Sequence, residues 1–476
     1  MHSWRGTALV FGTSAAVLML EILAGRLMAP YVGVSLETFT GIIGTMLAGI
    51  AAGAALGGSV ADRRDPRPLI GPALIIGGAL CWASLGILRL VGPSTGTGPV
   101  GIVLLTAVAF LAPVTLLSAV APMIAKLRLD SLARTGSVVG GLSAAGTVGA
   151  IAGTFFAGFV LVTAVPSRPA VIVIGGVLVA IGSVVSWRLG TAASVGAMAV
   201  GLVVAAVGAL VLPPPCERET AYFCLNVQPD PARPTGRSLL LDRVRHAYVD
   251  LADPTHLELR YVRLIAAVAD STTAGPVEAL HLGGGGFTYP AYLDATRAGS
   301  RQVVLEIDPE LEEVARNQLG YRPGDATEIR IGDARLALDE LASDRFDLVV
   351  GDAFASTSVP WHLTTVEVMD ELRRLMTHDG VYVMNVLDGG DSDFARAQIA
   401  TLQHRFAHVA AILPAGGVPP DRAVNQVLVA SDAPLPELVF DAADGTVVRG
   451  AELDEYVDGA RVLTDDHAPV DQLLLR

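Results

Sequence analysis

The first 212 residues contain about seven apolar stretches, each close to the ~20 residues that a helix needs to cross the hydrocarbon core of a bilayer. They fall near 7–29, 39–60, 68–92, 99–122, 137–162, 169–187 and 191–212. With no water in that core to satisfy backbone groups, such segments are confined to helices, so this half reads as an α-helical membrane bundle. The first stretch has a charged middle and no cleavage-like small-residue site before its polar flank, so it reads as a retained span rather than a signal peptide.

Charge divides the chain at the same place. Residues 1–216 hold 11 of the 33 basic residues and 5 of the 47 acidic ones, a balance of +6, which leaves −20 for the rest of a chain whose total is −14. A mean hydropathy of +0.53 over 476 residues is far from that of a soluble enzyme. An acidic soluble half argues against a nucleic-acid partner, because phosphate binding needs clustered Lys and Arg. The bilayer is the partner that the apolar half demands.

Basic residues gather at Arg5, at Arg63, Arg64 and Arg67, at Lys126, Arg128 and Arg134, and at Arg188, while the alternate loops hold little beyond Arg168. By the positive-inside rule the N-terminus is cytoplasmic. Seven spans then put the C-terminal half outside, and an even number would keep it inside. Cys216 and Cys224 follow the last span, and the third cysteine is Cys81. They form a disulfide if external and stay as thiols in a cytoplasmic linker, so the side is left open.

Within the membrane half, Gly49, Gly53 and Gly57, and again Gly149 and Gly153, put small residues on one helix face, a pattern for close helix packing. Glu21 and Arg26 lie inside the first span, where a charge needs a partner or a polar cavity. Their spacing of five keeps them off one face. Each is expected to meet another helix, or Arg26 to reach the interface near Pro30.

Past Leu212 the pattern changes. A Pro triplet leads into short alternating runs, TAYFCLNV, RSLLLDR and HAYVDL, with turns at PDPARPTG and ADPT, which predict a small antiparallel sheet. A helical pattern from His256 to Ala269 carries Tyr261. Then Val277–Leu282 runs into Gly283, Gly284, Gly285 and Gly286. Such a turn lets backbone approach a ligand and frees N–H groups at the next helix. Glu306 ends the second apolar run about 20 residues on, where an acid can accept from both ribose hydroxyls. Asp333 ends the third, placed to accept from an adenine amino group, and Asp352 ends the fourth. Further strands are expected at Val381–Val386, His408–Leu413 and Gln426–Ala430. The rhythm is that of a Rossmann-like doubly wound sheet with a nucleoside site at its carboxyl edge. His281, His362, His404 and His467 show no metal-ligand spacing, and no metal is expected.

These motifs resemble the spermidine synthase, or polyamine aminopropyltransferase, family from about Thr220 to Ala430. EILAGRLMAPYVG, GGSVADRR, GTVGAIAGTFFAGF and LTDDHAPVD resemble its membrane-fused relatives, so the likeness covers nearly the whole chain. It implies a transmembrane domain at 1–212, a linker and small β subdomain at 213–270, and at 271–476 a catalytic domain with a methyltransferase-type, seven-stranded sheet. It also implies a multi-pass cell-membrane location, no prosthetic group, decarboxylated S-adenosylmethionine as co-substrate, a small-molecule amine such as putrescine as acceptor, and methylthioadenosine as product. Matched by position, Gly283, Gly284 and Gly285 are the donor loop. Glu306, with Asp308 in the same EID motif, faces the ribose, and Asp333 with Ala334 the adenine. Asp352 is the proton acceptor, with Tyr261 beside it.

The sequence departs from the family pattern on the acceptor side. Gly286 stands where an Asp is usual, Ala355 where a second acid follows Asp352, and Val262-Arg263 where a polar-acidic pair follows the tyrosine. Each loss removes a group that would hold a diammonium, unless Asp465 or Asp466 of the terminal TDDHAPVD segment supplies the charge. Two other readings stay open: an S-adenosylmethionine-dependent methyltransferase, since one sheet serves both donors, and a transporter with a non-catalytic nucleoside- or polyamine-sensing domain. Homo-oligomer formation is also open.

Overall fold

The computed structural model describes residues 3–96, 98–129, 135–189, 203, 206, 211–355 and 358–474. The chain divides into two compact units, Met1–Leu225 and Asn226–Arg476.

In the first unit, six helices are long and apolar enough to cross a membrane: α1 Trp4–Val32, α2 Leu36–Arg63, α3 Arg67–Ser94, α4 Pro99–Arg128, α5 Thr135–Ala164 and α6 Ser167–Arg188. This is the pattern of a multi-pass membrane protein. The seventh span expected at 191–212 lies, apart from residues 203, 206, 211 and 212, outside the described residues. The small-residue faces are packing faces. A Cβ added at Gly53 or Gly57 would strike the backbone carbonyls of Thr115 and Ala119 on α4, and one at Gly149 or Gly153 those of Phe11 and Ala15 on α1. Lipid offers helices no hydrophobic drive to associate, so such close backbone approach supplies the van der Waals contact that holds them.

Beyond the bundle, strands β1 Arg218–Glu219, β2 Cys224–Pro229, β3 Gly236–Leu241 and β4 Val244–Asp250 form a four-stranded sheet in that order. Helix α7, Arg260–Thr272, follows and buries Tyr261, Leu264, Ile265 and Val268. The main sheet has eight strands, one more than the family resemblance implies. They are β5 Glu278–Leu282, β6 Arg301–Glu306, β7 Thr327–Ile331, β8 Phe346–Gly351, β9 Met376–Asp388, β10 His408–Leu413, β11 Val424–Ser431 and β12 Thr446–Arg449. The extra strand is β12, an edge piece paired antiparallel to β10.

The order is β12-β10-β11-β9-β8-β5-β6-β7. Strands β7, β6, β5, β8 and β9 are parallel, and β9–β11, β11–β10 and β10–β12 are antiparallel. After β5 the chain winds outward through β6 and β7, then returns to β8 on the other flank of β5. That reversal opens a crevice at the carboxyl ends of β5 and β8, the place where open α/β sheets take their ligands. Buried apolar side chains from both faces of the sheet, Leu280 and Val349 on one and Ala279 and Leu348 on the other, fix its register.

Candidate active site

At the end of β5 the chain turns through Gly283 (φ 96°) and Gly285 (φ 51°), both in the left-handed region that glycine tolerates. A Cβ at Gly283 would sit 2.6 Å from the Asp352 carbonyl oxygen, so only glycine lets the β5 and β8 ends come together. The Asp352 amide donates to the Leu282 carbonyl at 2.9 Å and locks that contact.

Glu306, at the end of β6, is 4% exposed. Its carboxylate accepts the Gly284 and Gly285 amides at 2.8 and 3.1 Å on one oxygen and the Asp308 amide at 2.9 Å on the other. Burial raises its pKa, and the three amides oppose that rise. Glu306 is thus the clasp that shapes the glycine loop. Asp308 is fully buried and caps helix α8, Pro309–Gln318, by accepting the Glu310 amide at 3.0 Å. The sequence ID-P-E is a helix start, with Pro at the first position and acids in the first turn. Asp333 caps α9, Ala334–Leu338, through the Arg335 amide at 2.8 Å, and its other oxygen lies 3.4 Å from His362 Nε2. Ala334 is buried as the first residue of that helix.

Asp352 is differently placed. It keeps some exposure at the sheet edge. Its Oδ1 accepts from Asn385 Nδ2 at 2.8 Å, and Asn385 in turn accepts from Asn425 Nδ2 at 3.0 Å. Arg260 donates to the Asn425 carbonyl, which closes a relay across β8, β9 and β11. Desolvation pushes the Asp352 pKa up to about 7, against the pull of the Asn385 and Tyr261 hydrogen bonds. Tyr261 is 8% exposed, and its hydroxyl donates to the His246 carbonyl at 3.1 Å. Burial and the neighbouring Asp352 carboxylate hold its own pKa well above the usual phenol value. The arrangement is a partly desolvated carboxyl poised near neutrality beside a neutral phenol, chemically a base with a hydrogen-bonding companion.

The acceptor-side departures have physical causes here. A Cβ at Gly286 would lie 2.5 Å from the Ala247 Cβ of β4, so that position has no room for an acid without movement. Ala355 is exposed and bridges to Ser358, and residues 356 and 357 lie outside the described set. Asp465 is committed elsewhere: it pairs with Arg335 at 2.8 Å and accepts from Thr365 Oγ1 at 2.6 Å. Sequence reasoning missed Asn385 and Asn425, and weighed His362 only as a metal ligand, not as a neighbour of Asp333. A lone amide in the apolar run VYVMNVL is the signal that could have found Asn385, since a buried amide must have partners.

Fold and crevice together define an open α/β domain whose strand order reverses at β5, with acids and a glycine turn at the carboxyl ends of its strands. No family model matches the chain. It is 31% identical over 112 residues to the polyamine aminopropyltransferase of Vibrio vulnificus (strain CMCP6), a match that spans 23% of this chain and 38% of that protein. Similar solved structures include a probable spermidine synthase from Corynebacterium glutamicum ATCC 13032, at 25% identity and TM-score 0.49 over 53% of this chain and 97% of that one. A spermidine synthase in complex with the transition state analogue AdoDATO aligns at 15% identity and TM-score 0.38, over 52% and 81% of the two chains. The C-terminal domain is spermidine synthase-like, and it follows a region of six candidate membrane spans.

Proposed function

We propose that the chain is an aminopropyltransferase of spermidine-synthase type, anchored in the cell membrane, that uses decarboxylated S-adenosylmethionine and a small amine acceptor. The observation that carries this reading is Asp352, a carboxyl of pKa about 7 at the switch-point crevice, with Tyr261 alongside. Primary amines are mostly protonated at neutral pH, and only the free lone pair attacks. Asp352 takes one proton from the acceptor ammonium. The amine nitrogen then forms a bond to the aminopropyl carbon attached to the sulfonium, that C–S bond breaks, and its electron pair stays on sulfur as methylthioadenosine leaves. Tyr261 orients the attacking nitrogen. On the donor side the loop Gly283–Gly285 receives the nucleoside, Glu306 serves the ribose while holding the loop, and Asp333 and Ala334 face the adenine, with Asp308 fixing the strand–helix turn.

The acceptor is left less specified than the donor. With Ala247 filling the space beside Gly286 and no acid at Ala355, a diammonium has fewer partners than the family pattern supplies. The test is incubation of the full chain in detergent with decarboxylated S-adenosylmethionine and putrescine or other amines, followed by assay for methylthioadenosine. Release of methylthioadenosine supports the reading. Formation of S-adenosylhomocysteine from S-adenosylmethionine instead would replace it with a methyltransferase, and nucleoside binding without either product would replace it with a sensor.

A further inference from the structure

The first unit carries its own record of membrane sidedness. Packing pairs Phe11 with Gly149 and Ala15 with Gly153, so α1 and α5 run parallel. Gly71 meets Ser186 and Gly78 meets Gly175, so α3 and α6 run antiparallel, whereas Gly41 with Ile102 and Gly57 with Ala119 make α2 and α4 parallel. The loops at 33–35 and 64–66 are too short to cross the bundle, so α1, α2 and α3 reverse in turn and, with these pairings, the six helices alternate. One end of the bundle gathers Arg5, Arg63, Arg64, Arg67, Lys126, Arg128 and Arg188, and the other holds Arg26, Arg89 and Arg168. The positive-inside rule makes the first end cytoplasmic and leaves α6 finishing there.

The continuous stretch that begins at Val211 is at the opposite end. Pro213 and Pro214 line a small cavity with Tyr31, Arg89 and Arg168. Glu219 pairs with Arg26 at 3.1 Å and accepts from the Ser167 amide at 2.9 Å and its hydroxyl at 2.5 Å. Arg26 also donates to the Val162 carbonyl at 3.0 Å and to that of Thr220. Arg26 thus meets another helix, at the α5 Val162 carbonyl, and also finds an ion partner in the post-bundle strand β1. Between Arg188 and Val211 the sequence has no charged residue and is of crossing length. Cys216 and Cys224 are joined by a disulfide, a bond that persists in oxidising compartments. Beyond Leu225, no helix among the described residues is long and apolar enough to recross.

We infer that the acidic C-terminal domain lies on the non-cytoplasmic side of the membrane, its entry fastened to the bundle by the Arg26–Glu219 pair and the disulfide-closed loop 216–224. This placement rests on the bundle alone and is independent of the reaction proposed above. Its chemical consequence is that whatever the domain binds must be drawn from, or exported to, the external side.

The experiment uses the full chain in intact cells. Asp421 in the C-terminal domain and Arg64 at the basic end are both exposed, so D421C and R64C report the two sides. A membrane-impermeant maleimide should label D421C equally in intact and permeabilised cells, and R64C only after permeabilisation. A protease added outside intact cells should remove the 49.3 kDa full-length band of the unmutated protein. Labelling of D421C only after permeabilisation, or full protection of the native chain, overturns the placement. For the fastening loop, the denatured, unreduced protein should take up one polymer-linked maleimide, at Cys81, and three after reduction. Uptake of three without reduction overturns the disulfide-closed entry.

Discussion

Two carboxylates flank β5, Glu306 at the end of β6 and Asp352 at the end of β8, and their surroundings divide the crevice. Burial raises both pKa values. Glu306 answers with three backbone amides that fix its geometry and favour its charge. Asp352 has one side-chain amide and a phenol, partners that orient it yet leave its proton free to move. Acids at neighbouring strand ends therefore do different work. A carboxylate saturated by backbone donors builds the loop, and one left short of donors in a dry site can exchange a proton near neutral pH.

The sharpest way to break this contrast is to remove the proposed proton carrier. Asp352→Asn keeps the size and the place beside Asn385, and turnover should fall on the order of 10²–10⁴-fold with nucleoside affinity little altered. Methylthioadenosine release and calorimetric titration of the same preparation separate the two. Full activity in this variant would take Asp352 out of the chemistry.

Glu306→Gln tests the other side. One oxygen of the clasp becomes an NH₂ donor facing a backbone donor, so unfolding free energy and nucleoside affinity should each fall by about 1–3 kcal/mol. Turnover of bound substrate should change less than in the Asp352 variant. Loss of affinity at unchanged stability would mean that Glu306 touches the ligand without shaping the loop.

The contrast also has a pH signature with opposite signs for stability and rate. Folded Asp352 holds its proton up to about pH 7, whereas an unfolded aspartate releases it in the usual acid range. The folded state binds the extra proton, so stability falls as pH rises between those limits, by at most about 1.4 kcal/mol per pH unit for one group, and levels off above. The rate should instead rise through pH 7 as the base is freed. Denaturant titrations of the parent and of Asp352→Asn across this range should differ by that slope, and parallel curves would argue that Asp352 titrates normally.

What the sequence made legible followed from local pattern. The apolar runs at β5, β10 and β11 and the glycine turn stand where alternation and composition put them, and the acids ending β6, β7 and β8 line the carboxyl edge. The division of labour among those acids was not legible. Asn385 meets Asn425 across 40 residues because β9 and β11 pair antiparallel, a register that no local window carries. Strand β12 was missed because four residues, TVVR, give no period to read. The helix-capping of Asp308 and Asp333 was readable in principle, yet an acid at a strand end that also starts a helix serves two patterns at once.

The smallest expected effect concerns the acceptor. If the crevice lacks only a charge, an acid at an open position should improve a diamine's binding, and Ala355 is that position because it is exposed. A partly solvated pair contributes about 0.2–1 kcal/mol, so Ala355→Asp should lower the KM for putrescine by no more than about five-fold, with kcat nearly constant. Gly286→Asp is the discriminating companion. Its Cβ would press on Ala247 at 2.5 Å, so it should cost stability before it can gain affinity. If Ala355→Asp leaves the KM unchanged and the double variant Ala247→Gly, Gly286→Asp lowers it, the missing charge belongs beside the glycine loop. If neither variant moves it, the natural acceptor is not a diamine.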